Sequence, residues 1–112
     1  MIEILSPLSL EPRESDGISR WELLLNTDKD FDRDIPFKAM LAEVVEALGD
    51  EAHLTLGEDD LCVDGELVWQ GRTIRVYFEY LLGYLTLASD DRAVMDDVVE
   101  RLRPIVSVIP EG

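Results

Sequence analysis

Four aspartates alternate through Asp28-Lys29-Asp30-Phe31-Asp32-Arg33-Asp34, and alternating carboxylates are how a calcium loop begins. Such a loop takes ligands at its first, third, fifth and seventh positions, glycine at its sixth and a bidentate glutamate at its twelfth. Here Arg33 stands at the sixth, Pro36 at the ninth and Ala39 at the twelfth. The pattern fails where it is most diagnostic, so a solvated acidic loop is the reading and no metal is expected. The same carboxylates ring Phe31, and an aromatic anchor surrounded by negative charge suits a basic protein cleft. Asp28, Asp30, Phe31, Asp32 and Asp34 are therefore candidate partner-binding residues. Glu58, Asp59 and Asp60 form a second cluster of the same kind.

His53 and Cys62 each occur once as a residue type. They could meet across a hairpin, yet a nucleophile–base dyad needs an orienting third group and a cleft. Nothing in the sequence selects either one. No glycine-rich phosphate loop and no Cys/His metal spacing is present, so neither a cofactor nor a catalytic residue is expected. A binding protein, not an enzyme, is the expectation. Cys62 lies in an apolar Leu-Cys-Val context and reads as a small buried hydrophobe in a reducing cytoplasm.

The chain has 112 residues, the size of one domain (1–112) able to bury a modest core without disulfide or metal. Its 25 acidic and 10 basic residues give a net charge of −15, well beyond the roughly 2–8 charges that keep a small domain soluble. Such a surface repels nucleic-acid phosphate and anionic lipid, and it speeds encounter with basic proteins. The first fifteen residues lack the basic and apolar regions of a secretory signal. The longest apolar run, around Tyr80 to Ala88, is far short of the roughly 20 residues a membrane span needs.

The elements that must carry these residues centre on Glu66 to Ser89, which reads as a meander of three antiparallel strands. Ile74, Val76 and Phe78 alternate with Thr73, Arg75, Tyr77 and Glu79, the period of a half-buried strand. Gln70-Gly71 reads as a two-residue hairpin loop, with glycine supplying a positive φ. That loop would pair Trp69 with Arg72, Leu67 with Ile74 and Glu66 with Arg75. Beyond a tip at Leu81-Leu82-Gly83, Phe78 would pair with Leu85 and Val76 with Leu87. The leucines of that tip are expected to tuck under a neighbouring element.

Ile2, Ile4 and Leu5 suggest a short edge strand, Glu11–Gly17 a polar loop, and Ile18–Leu25 a strand with Trp21, Leu23 and Leu25 on one face. Pro36 opens a helix whose stripe is Phe37, Met40, Leu41, Val44, Val45 and Leu48, with Gly49 as its left-handed cap. Glu51–Gly57 reads as a strand, Glu58-Asp59-Asp60 as a turn and Asp64-Gly65 as another hairpin signal. Ser89 or Asp90 would cap a second helix, which buries Val94, Met95, Val98, Val99 and Leu102 and can pair Asp97 with Arg101. Ile105–Ile109 reads as a last strand. The fold expected is α+β: one antiparallel sheet with two α-helices packed on one face.

In size, charge and lack of catalytic groups, the whole chain resembles the immunity proteins that neutralise bacterial toxins. The resemblance implies a cytoplasmic inhibitor that sets carboxylates where a basic toxin, a nuclease among the candidates, would hold phosphate. It leaves monomer and homodimer open. From Pro36 onward, the order helix, strand, Leu61-Cys62-Val63-Asp64-Gly65, strands and helix is also similar to the acidic export chaperones of type III secretion. That second resemblance implies a dimer that binds an extended effector segment, and the first 35 residues have no place in it.

Overall fold

The computed structural model describes residues 2–4, 8–15, 17–26, 36–49, 51–58, 62–79 and 84–108. The strands are β1 (Ile2–Ile4), β2 (Leu10–Ser15), β3 (Ile18–Asn26), β4 (His53–Glu58), β5 (Cys62–Trp69), β6 (Arg72–Glu79), β7 (Tyr84–Ser89) and β8 (Val106–Val108). The helices are α1 (Pro36–Leu48) and α2 (Arg92–Leu102), the latter followed by a 3₁₀ turn, Arg103–Ile105. Six strands form one antiparallel sheet in the order β2-β3-β7-β6-β5-β4. Strands β1 and β8 pair in parallel as a separate two-stranded sheet, where one antiparallel sheet was expected.

The meander has the register its loops and faces require. Leu67 pairs with Ile74 and Trp69 with Arg72 across Gln70-Gly71; Phe78 pairs with Leu85 and Val76 with Leu87. Gln70 and Gly71 have φ of 53° and 75°, the double left-handed turn whose twist matches the strands it joins. Leu67, Trp69, Ile74, Val76, Phe78, Leu85 and Leu87 are all buried, whereas Thr73, Arg75 and Tyr77 are exposed. A one-residue slip would exchange these two sets, and each large apolar side chain moved into water costs about 1.5–3 kcal/mol. The buried set forms one cluster with Leu23 and Leu25 of β3, Met40, Leu41, Val44 and Leu48 of α1, and the five-residue stripe of α2.

Three local expectations are corrected. Of the loop expected over Glu11–Gly17, residues 11–15 belong instead to β2, which forms a hairpin with β3 and pairs Ser15 with Ile18. Its proline and charges are tolerated because β2 lies at the sheet edge. Asp64-Gly65 is not a turn: β5 runs straight through it, pairing Gly65 with Leu56 on one side and Val76 on the other. Arg75 faces Glu66 in register, as expected, and its Nη2 lies 3.3 Å from both carboxylate oxygens of Asp64, diagonally across the sheet. Arg101 turns to Trp69, with its guanidinium 5.9 Å from the ring centroid, while the i,i+4 ion pair in α2 joins Arg92 to Asp96 at 3.8 Å. The Leu81-Leu82-Gly83 tip lies outside the described residues, as does the side chain of Phe37.

The cap of α2 also sits one or two residues later than expected. Asp91 Oδ1 accepts hydrogen bonds from the amides of Ala93 (3.0 Å) and Val94 (3.3 Å), and Ser89 Oγ accepts one from the Asp91 amide (3.1 Å). Two otherwise orphaned helix donors are thereby satisfied, and Arg72 adds an ion pair to the same carboxylate at 3.4 Å. Asp91→Ala is expected to lower stability by about 1 kcal/mol, and Asp91→Asn by clearly less, because the amide oxygen still caps. Urea titration of the two variants checks this; equal losses would place the effect in the Arg72 pair instead.

Candidate binding surfaces

Two surfaces emerge from this arrangement, the polar face of the sheet and its β4 edge. On the polar face the pairing lines up Glu11, Glu22, Ala88, Arg75, Glu66 and Thr55 across all six strands. Ala88 is the shortest side chain among longer ones, so the surface dips above it. One hollow of about 310 Å³ is lined by Arg20, Glu22, Arg75, Tyr77, Thr86 and Ala88. A second shares Arg20, Arg75 and Ala88 and extends over Glu66, Thr73 and Asp90. Arg13 reaches Glu22 at 3.5 Å and Arg75 reaches Asp64, so this face carries both signs and much of its charge is paired. Exposed pairs of this kind contribute little stability each, about 0–1 kcal/mol.

The acidic surplus lies elsewhere. From Ala39 to Gly71 the chain has no lysine or arginine, yet it holds Glu43, Glu46, Asp50, Glu51, Glu58, Asp59, Asp60, Asp64 and Glu66. This stretch supplies most of α1 and all of β4 and β5, the two strands at one end of the sheet. Basic residues return at β6, and Arg13 and Arg20 belong to β2 and β3 at the other end. The charge therefore differs along the strand order: β4 and β5 carry only acidic charge, whereas β2 and β3 mix three glutamates with two arginines. The last turn of α1 holds no basic residue, and Glu46 and Glu51 stand exposed at that helix end. A helix C-terminus carries partial negative charge, so carboxylates there oppose stability.

Of the residues that the sequence marks for partner binding, Asp28, Asp30, Phe31, Asp32, Asp34, Asp59 and Asp60 lie outside the described residues. Glu58 closes β4, with its backbone opposite Val63, and its side chain is likewise outside. His53 opens β4, exposed and opposite Val68, while Cys62 opens β5 at the far end of the same hairpin. Six residues of strand separate Cys62 from Val68, about 20 Å at the usual rise. The histidine and cysteine do not meet. Among the described residues, no group of three or more His, Cys, Asp or Glu is placed to hold a metal, and no helix is long and apolar enough to cross a membrane.

The polar-face residues around Ala88 were not marked from the sequence, because their convergence depends on β3 pairing with β7 far along the chain. The 33-residue stretch without a base is visible in the sequence, but that it forms one end of the sheet is not. Comparison with protein-family models, curated proteins and solved structures finds no match to this chain.

Proposed function

We propose that this chain is a non-enzymatic, cytoplasmic binding protein that neutralises a basic protein partner. The partner class it fits best is a bacterial toxin, a nuclease above all, with the chain as its immunity protein. In this reading both helices cover the apolar face of the sheet, and the polar face and β4 edge remain to meet the partner. The observation that carries the proposal is the uneven charge: nine acidic and no basic residues between Ala39 and Gly71. Glu46 and Glu51 add to it, because carboxylates gathered at a helix C-terminus work against the fold. A local conflict of that kind is expected where a surface serves binding. Reversing Glu46 to lysine is accordingly expected to raise stability, by about 0.3–1 kcal/mol.

Capture of partners from native lysate at low salt tests the proposal. One basic protein should be retained and released only as salt rises, since screening shortens the reach of exposed charges to about 8 Å at physiological ionic strength. Charge reversal within residues 28–34 and 58–60 should then weaken retention by at least tenfold. Undiminished retention by those variants would sink the reading.

The order α1-β4-β5-β6-β7-α2 keeps the export-chaperone reading as the alternative. Its discriminating observation is oligomeric state, because those chaperones act as dimers. A monomer in solution would count against it.

A further inference from the structure

We propose that the outer edge of β4 receives an extended, basic segment of the partner as a seventh strand of the sheet. This deepens the acidic-binder reading and rests on it. Every second residue of an edge strand turns its N–H and C=O outward, a template for an incoming chain. Proteins normally blunt such edges with proline, charge or a bulge, and the far edge of this sheet is treated that way. Strand β2 presents Glu11, Pro12, Arg13 and Glu14, all exposed. Strand β4 is the other edge, and its run Leu54-Thr55-Leu56-Gly57 has neither proline nor charge. Among the described residues, no strand pairs with its outer side.

The side chains say what kind of strand fits. Leu54 and Leu56 continue the apolar face, opposite Leu67 and Gly65. Leu54 packs against the core, whereas Leu56 is left 39% exposed. The core thus runs out at β4, and alternate apolar residues of an added strand would extend it. On the other face Thr55 is exposed, with Glu66 beside it and Asp64 beside Gly57. Glu51 precedes β4 and Glu58 is its last residue. A segment alternating apolar with lysine or arginine matches both faces and both ends. Backbone hydrogen bonds give such pairing its affinity, and the alternate side chains give its specificity. A second copy of this chain does not fit. An antiparallel β4–β4 pair would set the Glu51 end of one copy beside the Glu58 end of the other, a parallel pair would set each end against itself, and facing like charges are destabilising.

The test uses a short capped peptide of alternating lysine and valine and two isomers, one N-methylated at its lysines and one at its valines. Only one set of amides can face β4, so one isomer should bind like the parent and the other at least tenfold more weakly. The binding pair should also slow amide exchange at alternate residues of β4. Leu56→Lys should cut affinity for the parent peptide by at least tenfold. Equal binding of all three peptides without protection in β4 would overturn the edge inference, yet leave an acidic binder standing. Absence of binding by any peptide would overturn it too, with lysate capture deciding the broader reading separately. A dimer of the protein alone with the same protection along β4 would assign the edge to self-pairing and overturn it as well.

Discussion

Trp69→Ala is expected to lower stability by about 3–5 kcal/mol, the usual cost of deleting a large buried ring. Small domains hold only about 5–15 kcal/mol in all, so this one change brings the protein close to unfolding. Trp69 is 1% exposed at the end of β5, and it joins elements that are distant in sequence. Its indole Nε1 donates to the Leu48 carbonyl at 3.0 Å in a buried setting. That carbonyl lies in the last turn of α1, where helix acceptors lack intrahelical donors. The Gly49 amide, at φ 96°, bonds back to Val45 and Glu46 instead. Above the ring sits Arg101 of α2. One side chain therefore ties the meander to both helices. Trp69→Phe separates the contributions: it keeps most of the apolar contact but strands the Leu48 carbonyl, for an expected loss of about 1–3 kcal/mol. Urea unfolding followed by far-ultraviolet circular dichroism measures both variants. If Trp69→Ala shifts the midpoint no more than a surface substitution does, the ring is not the joint between sheet and helices.

That joint also marks where the sequence ceases to be legible. The meander can be read in advance because its information is local: Gln70-Gly71 sets the register, and the alternation around Ile74, Val76 and Phe78 sets the faces. The limits of α1 follow equally from Pro36 and Gly49. Strand β2 is concealed by Pro12 and its charges, which are permissible only because the strand has one neighbour. Residue 16 is an aspartate followed by Gly17, a hairpin dipeptide set within a polar run. The parallel pairing of β1 with β8 joins the two ends of the chain, and no nearby residue announces it. The same limit applies to function. Acidic clusters are plain in the sequence, but which strand is an edge depends on β3 inserting beside β7, a contact between residues more than 50 positions apart.

Gly65→Val is the second large effect, and it connects fold to binding. Asp-Gly is a strong turn signal, yet here the glycine lies inside β5 because two strands approach too closely for a side chain. A Cβ at residue 65 would collide with the Thr55 carbonyl oxygen, and it would lie 2.8 Å from Leu56 Cδ2 and 3.0 Å from Leu56 Cα. The leucine methyl can swing aside. The carbonyl and the Cα cannot, unless β4 itself moves. The expected cost is about 3 kcal/mol, the upper part of the usual range for overpacking. Because β4 has one neighbour in the sheet, the strain is relieved by lifting that strand and not by opening the core. Amide exchange should accelerate first along His53–Glu58, with β6 and β7 staying protected as long as the rest of the sheet holds. Uniform acceleration through the sheet would show that β4 is no separable unit. The variant leaves every charge in place, so it divides the two sources of recognition. Loss of peptide pairing with residual salt-sensitive attraction would place affinity in the strand edge, whereas undiminished pairing would place it in charge alone.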